Sequence, residues 1–282
     1  MNPALQIETM TAAQVDFAIG LAAAEGWNPG LHDAAIFHAA DPGGFLVGRL
    51  DGRPIGCIAA VSYGGKFGFI GLYIVIPECR AMGCGIALWR AGMARLAGQN
   101  VGLDGVLAQQ DNYRRSGFRP AYSNLRFERA GPLPAAELRG IVSIADVPFA
   151  QLHQYDRQMF PADRAAFLRR WIAQPDGDGL ACLADGAIEG YGVIRRCRRG
   201  FKIGPLFAVN PDVAERLYVA LSRRAGEVEP VYLDVPEVNA AALRLAEKFG
   251  MQKVFGTARM YTGEFPRIPL EQVFGVTTFE LG

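Results

Sequence analysis

The sequence predicts an α+β protein of two tandem domains, each a twisted, mostly antiparallel mixed sheet flanked by helices. Three observations carry this. The chain has 282 residues, about twice the ~100–150 of a common domain. Its hydrophobic spacing switches repeatedly between period two and period 3.6. The inferred elements run through one order and then repeat it in weaker form after a linker at Pro132-Leu133-Pro134. We therefore expect domains at 1–131 and 132–282, a repeat too long for a solenoid.

The first domain opens with a helix over residues 11–24, with Thr11 as N-cap and Val15, Ile19 and Leu21 on its apolar face. Glu25 to Gly30 breaks it, and Asp33 to Ala39 forms a second, short helix. The period then changes to two. Phe45–Leu50, Ile55–Tyr63 and Phe67–Val75 read as strands, joined by Asp51-Gly52 and Gly64-Gly65. Both dipeptides suit the positive φ of tight hairpin turns, so the three strands make an antiparallel meander. Pro77 ends the third strand, where a missing N–H costs little. Helical spacing returns over 85–96, with Leu88, Trp89, Met93 and Leu96 on one side. A strand at 101–107, a short helix at 111–116 and a strand at 122–128 complete the domain.

In the second domain, residues 147–154 and 164–172 are expected as helices, followed by strands at 179–184 and 188–195 around Asp185-Gly186. A strand at 202–209, a helix at 213–225, a strand at 230–235 and a helix at 239–249 follow. Residues 252–261 and 274–281 read as a closing β hairpin.

Composition excludes several functions. Half of the residues are hydrophobic, ample for a core and too many for a disordered chain. The net charge of +1 leaves no basic excess for nucleic acid, and no polybasic run suits a membrane surface. The most apolar run, Ile70 to Ile76, is of strand length. No charged segment followed by an apolar one suggests a leader peptide. Five scattered cysteines without a C-x-x-C pair, and only three histidines, suggest reduced thiols in a cytoplasmic protein without a metal site.

The chemistry centres on Arg80-Ala81-Met82-Gly83-Cys84-Gly85. A strand that feeds a glycine-rich loop and then a helix is a pyrophosphate site. The helix start leaves N–H groups unpaired, its dipole is positive there, and glycines admit phosphate oxygens close to the backbone. Arg80 either adds charge or braces the loop. The preceding meander is not the parallel βαβ unit of a dinucleotide fold, and no G-K-[ST] P-loop is present.

Val75 to Gly85 resembles motif A of the GNAT N-acetyltransferases, Arg or Gln-x-x-Gly-x-Gly or Ala, and Tyr113-Arg114-Arg115-Ser116-Gly117-Phe118 is similar to the family's Tyr-x-x-x-Gly-Phe ending. The resemblance covers about residues 5–130, and the whole chain looks like the subgroup with a second GNAT-like domain. It implies direct acetyl transfer from acetyl-CoA to an amine. The pantetheine arm would pair with Tyr73, Ile74 and Val75, and the pyrophosphate would lie on the N–H groups of Ala81 to Ile86. Val75 N–H would be the oxyanion donor and Tyr113 the acid for the leaving thiolate. The plain alternative for Tyr113 is a half-buried packing residue.

Many family members carry an asparagine seven residues before that tyrosine; here it is Val106, and Gln109 or Asn112 stands as a substitute cofactor contact. The general base is open, with Glu25, Glu78 and Asp104 as candidates by acidity alone. Trp27 and Asn28 follow the first helix, where the family places acceptor contacts; the alternative is a hydrophobic plug at a helix-ending turn. Arg195 to Arg199 reads foremost as a solvated basic hairpin. In the second domain the loop has neither arginine nor glycine pair. Asn239 matches the family asparagine and Ala246 takes the tyrosine position. That domain is expected to be non-catalytic and to shape the acceptor pocket. The expected acceptor is a small-molecule amine. A protein lysine or N-terminus, or a non-catalytic coenzyme A sensor, are the alternatives. The protein is expected as a monomer or homodimer.

Overall fold

The computed structural model describes residues 5–134 and 137–282. In the first half the elements are β1 (Leu5–Thr9), α1 (Val15–Ala24), α2 (Asp33–Ala40), β2 (Phe45–Leu50), β3 (Arg53–Tyr63), β4 (Phe67–Val75), α3 (Cys84–Arg95), β5 (Asn100–Val106), α4 (Gln110–Arg115) and β6 (Arg119–Arg129). The second half repeats the order as β7 (Ile141–Ser143), α5 (Phe149–Met159), α6 (Ala165–Trp171), β8 (Gly177–Ala184), β9 (Ala187–Arg196), β10 (Phe201–Ala208), α7 (Pro211–Ser222), β11 (Val231–Pro236), α8 (Ala240–Lys248) and β12 (Gln252–Tyr261), with β13 (Val273–Gly275) added. The expected elements are present except for the strand at 274–281, of which only the short β13 forms. The short strands β1 and β7 are additional, since three to five residues leave too little alternation to read.

All these strands form one sheet, in the order β1-β2-β3-β4-β5-β12-β6-β11-β10-β9-β8-β7. The order is a palindrome if each half's last strand is exchanged. β6 does not pair with β5 of its own half but with β11, and β12 pairs with β5. The two exchanged strands pair antiparallel at the centre.

The expected closing hairpin is therefore corrected. Residues 252–261 are a strand, but their partners are β5 and β6. β13 pairs with β10 instead, and the chain beyond it turns, with Gly282 N–H donating to Thr278 O at 3.1 Å.

One hydrophobic core spans both halves, joining Val15, Phe37 and Phe69 to Trp171, Phe207 and Leu281. Phe37 of α2 stacks on Trp171 of α6 at 6.2 Å. The solvated reading of the basic hairpin is also corrected. Arg195 is buried, and its Nε donates to buried Asp33 at 3.1 Å. Leu31 N–H donates to Arg196 O, and Arg198 N–H donates to Pro29 O. The base of the hairpin is stitched to the other half, and the solvated reading holds only for Arg198 and Arg199, which stay exposed.

Candidate active site

β4 and β5 run parallel and bonded only from Phe67–Ile70 and Asn100–Leu103. Beyond Ile70 they part. The cause is local: Leu72 takes φ +46° and bulges β4 against β3, which turns the strand away. The gap is a cavity of about 760 Å³, lined on one side by Gly71 to Val75 and on the other by Leu103 to Val106.

At the mouth of this gap the chain turns through Pro77–Cys79 into α3. Gly83 is the N-cap at φ +84°, and Ala81 is also left-handed at φ +61°. No side chain caps this helix start and no acidic residue lies in its first turn. The first-turn N–H groups, Cys84 to Ile86, thus face outward without intrahelical acceptors, at the positive end of the dipole. That end suits a phosphate. Arg80 braces the loop: its Nε donates to Val75 O at 2.9 Å and its guanidinium pairs with Glu25.

The structure brings most of the expected site residues together. Trp27, Tyr73, Ile74, Val75, Arg80, Ala81, Gly85, Ile86, Gln109, Asn112 and Tyr113 all line the cavity. Met82 is exposed, Gly83 lies on the outside of the turn, and the Cys84 side chain is buried beneath it. Asn28 stands apart. Its side chain bonds Arg199 twice, Nδ2 to the carbonyl and Oδ1 from the N–H, both at 2.9 Å.

Tyr113 lies at 5.6 Å from Trp89, which also meets Tyr73 at 5.3 Å. Burial, helped by the neighbouring Tyr73, pushes the Tyr113 phenol up to about 12. It therefore holds its proton at neutral pH, as an acid for a thiolate must.

Of the acidic candidates, Glu25 and Asp104 line the cavity and Glu78 does not. Asp104 is fully engaged: Arg259 donates to both oxygens at 3.0 and 2.6 Å, and Asn124 Nδ2 donates at 2.7 Å. Several residues from late in the chain or from β6, Thr257 of β12 among them, join the site without any signal in the sequence. Arg126, Phe255, Phe279 and Glu280 line the inner end, where the Arg126 guanidinium sits 4.8 Å over the Phe279 ring.

In the second half the equivalent gap is filled. β10 and β11 also pair only over Phe201–Ile203, but β13 fills the space beyond, pairing with β10, while Val276 N–H donates to Asp234 O of β11. Asn239 caps α8 and its Nδ2 donates to the carbonyls of Leu270, Glu271 and Val273. The asparagine that matches the family pattern thus holds the plug.

Comparison with known proteins agrees with this geometry. The acetyltransferase (GNAT) family matches residues 10–118, and an acetyltransferase (GNAT) domain matches residues 152–275. The chain belongs to the GNAT acetyltransferases. It carries two GNAT domains in tandem, and its general activity is acetyl-CoA-dependent acetyl transfer. It is similar to the holothin acyltransferase of Pseudoalteromonas sp. (strain SANK 73390), at 27% identity over 93% of this chain and 89% of the relative. Among solved structures, a putative acetyltransferase from Pyrococcus horikoshii shares the fold at TM-score 0.84 and 23% identity, covering 99% of this chain and 96% of that one. A tandem GNAT protein from the clavulanic acid biosynthesis pathway matches at TM-score 0.64 and 15% identity, covering 93% and 100%. Among the described residues, no helix of this GNAT protein is long and apolar enough to cross a membrane.

Proposed function

We propose that this protein acetylates the amine of a small molecule, holding acetyl-CoA in the gap between β4 and β5 of a catalytic domain at 1–131. The observation that carries the reading is the continuity of that gap with the bare start of α3. An extended pantetheine arm would add to the free edge of Tyr73 to Val75, its pyrophosphate on the N–H groups of Ala81 to Ile86. Val75 N–H would face the thioester oxygen and Tyr113 the sulfur. Gln109 and Asn112 border the same arm.

The domain at 132–282 is non-catalytic in this reading, because its own chain occupies the equivalent gap. It completes the acceptor pocket with Phe255 and Phe279, opposite Trp27. Three aromatic walls favour a compact acceptor over a protein lysine or an extended N-terminal peptide. Retention of Tyr113 beside the gap favours an enzyme over a coenzyme A sensor. A monomer or homodimer acting in the cytoplasm fits five cysteines that are all buried and unpaired.

Acetyl-CoA should raise the melting temperature of the wild-type protein and leave a Gly83→Glu variant unshifted. Absence of a shift in the wild type would overturn cofactor binding. Thiol release across an amine panel then separates transferase from sensor.

A further inference from the structure

Acetyl transfer to an amine that enters as an ammonium requires a proton acceptor. Three carboxylates border the cavity: Glu25, Asp104 and Glu280. Glu25 is ion-paired with Arg80 at a partly exposed position. Asp104 has both oxygens bonded by Arg259 and one by Asn124. Glu280 differs from both. It is 3% exposed, and among the described residues its carboxylate receives one hydrogen bond, from the Thr278 hydroxyl. The charged groups that face it are Arg126 of β6 and Arg195 of β9. Arg126 is committed to Asp234 through two hydrogen bonds, whereas Arg195 gives only its Nε to Asp33 and keeps two guanidinium nitrogens without a partner; among the described residues neither arginine hydrogen-bonds Glu280. A buried carboxylate without a hydrogen-bonded cation opposes folding, and such groups concentrate where chemistry uses them.

Its place is also fixed. The Glu280 backbone lies against Gly71, where a Cβ would stand 1.9 Å from the Glu280 carbonyl oxygen. Gly71 immediately precedes the Leu72 bulge that opens the gap. The segment is pinned by Tyr63, whose hydroxyl donates to Leu281 O at 3.0 Å. The last residues of the second half thus deliver a carboxylate to the first half's site.

We propose that Glu280 is the general base. This assignment rests on the acetyl-transfer reading above, which the wild-type turnover tests by itself. Glu280 takes one proton from the acceptor ammonium and frees the nitrogen lone pair. The N–C bond to the thioester carbonyl carbon forms and the C–S bond breaks. The sulfur leaves as thiol with the Tyr113 proton, the amide nitrogen returns a proton to Tyr113, and the Glu280 proton passes to solvent.

The test compares Glu280→Gln and Glu280→Asp with wild type, using aliphatic amines, protonated at neutral pH, and aromatic amines, neutral there. In Glu280→Gln the new amide oxygen still accepts the Thr278 bond, so the segment should stay in place, and acetyl-CoA should stabilise the variant as it does the wild type. We expect kcat/KM for the aliphatic amine to fall by ~100-fold or more, with the acid limb of the pH profile lost. The loss should be several-fold at most for the aromatic amine. Glu280→Asp, which keeps a carboxylate, should retain the acid limb at reduced rate. An unchanged rate and profile in Glu280→Gln, an equal loss with both amines, or an acid limb missing from Glu280→Asp would overturn the assignment.

Discussion

Arg126 lies directly across from Asp234 in the sheet, and its guanidinium holds both carboxylate oxygens, at 2.7 and 2.8 Å. Burial works against the charge of Asp234, yet the Arg126 guanidinium wins and holds its carboxyl below the usual range. Arg259 and Asp104 repeat the arrangement in the other half. Each arginine rides on an exchanged strand and each aspartate on the strand that receives it. Removing Asp234 alone strands a buried guanidinium. We expect Asp234→Ala to lose about 3–5 kcal/mol, while Arg126→Met with Asp234→Leu stays near wild type. Urea denaturation of the three proteins measures this.

The exchange also predicts how the halves behave alone. Expressed by itself, 1–131 would leave β5 without β12 and β6 without β11. Unpaired edges of that length recruit other chains. The fragment should elute from size exclusion as dimers or aggregates. Mixing it with 132–282 during refolding should restore a one-to-one complex that binds acetyl-CoA.

Little of this pairing is legible in the sequence. The alternation in Tyr122 to Glu128 marks a strand and its buried face, but not its neighbours. The echo of Leu103-Asp104 in Leu233-Asp234, with Arg126 and Arg259 on the following strands, is the available signal. The meander, Gly83 and Tyr113 are legible because turn chemistry and helix starts are local. Phe274 to Leu281 mimics a strand because apolar residues alternate in two short runs, Phe274 and Val276, then Phe279 and Leu281, and only tertiary contact turns it into a plug and a tail. Glu280 and Phe255 are invisible as site residues because more than 140 positions separate them from Tyr113.

Tyr113 provides a kinetic prediction. Phenylalanine keeps the ring against Trp89 and removes the proton. Tyr113→Phe should lower kcat by ~100-fold and leave the acetyl-CoA-induced thermal shift intact. Steady-state thiol release and a melting curve read the two quantities. Wild-type turnover would remove Tyr113 from the chemistry.

The buried phenols provide the last prediction, on alkaline stability. Burial pushes Tyr113, Tyr218 and Tyr232 each up to about 12, against the pull of Arg129 on Tyr218 and with the help of Glu128 near Tyr232. In the unfolded chain a tyrosine ionises near about 10. The folded state therefore keeps protons that the unfolded state has lost, and stability falls as pH rises. The contribution is whole below the unfolded value and disappears as pH climbs through the folded one. These phenols leave the denaturation midpoint level below about pH 10 and then make it drop steeply. Replacing Tyr218 by phenylalanine removes one of these groups and should make the drop shallower, read by urea titrations on either side of that pH.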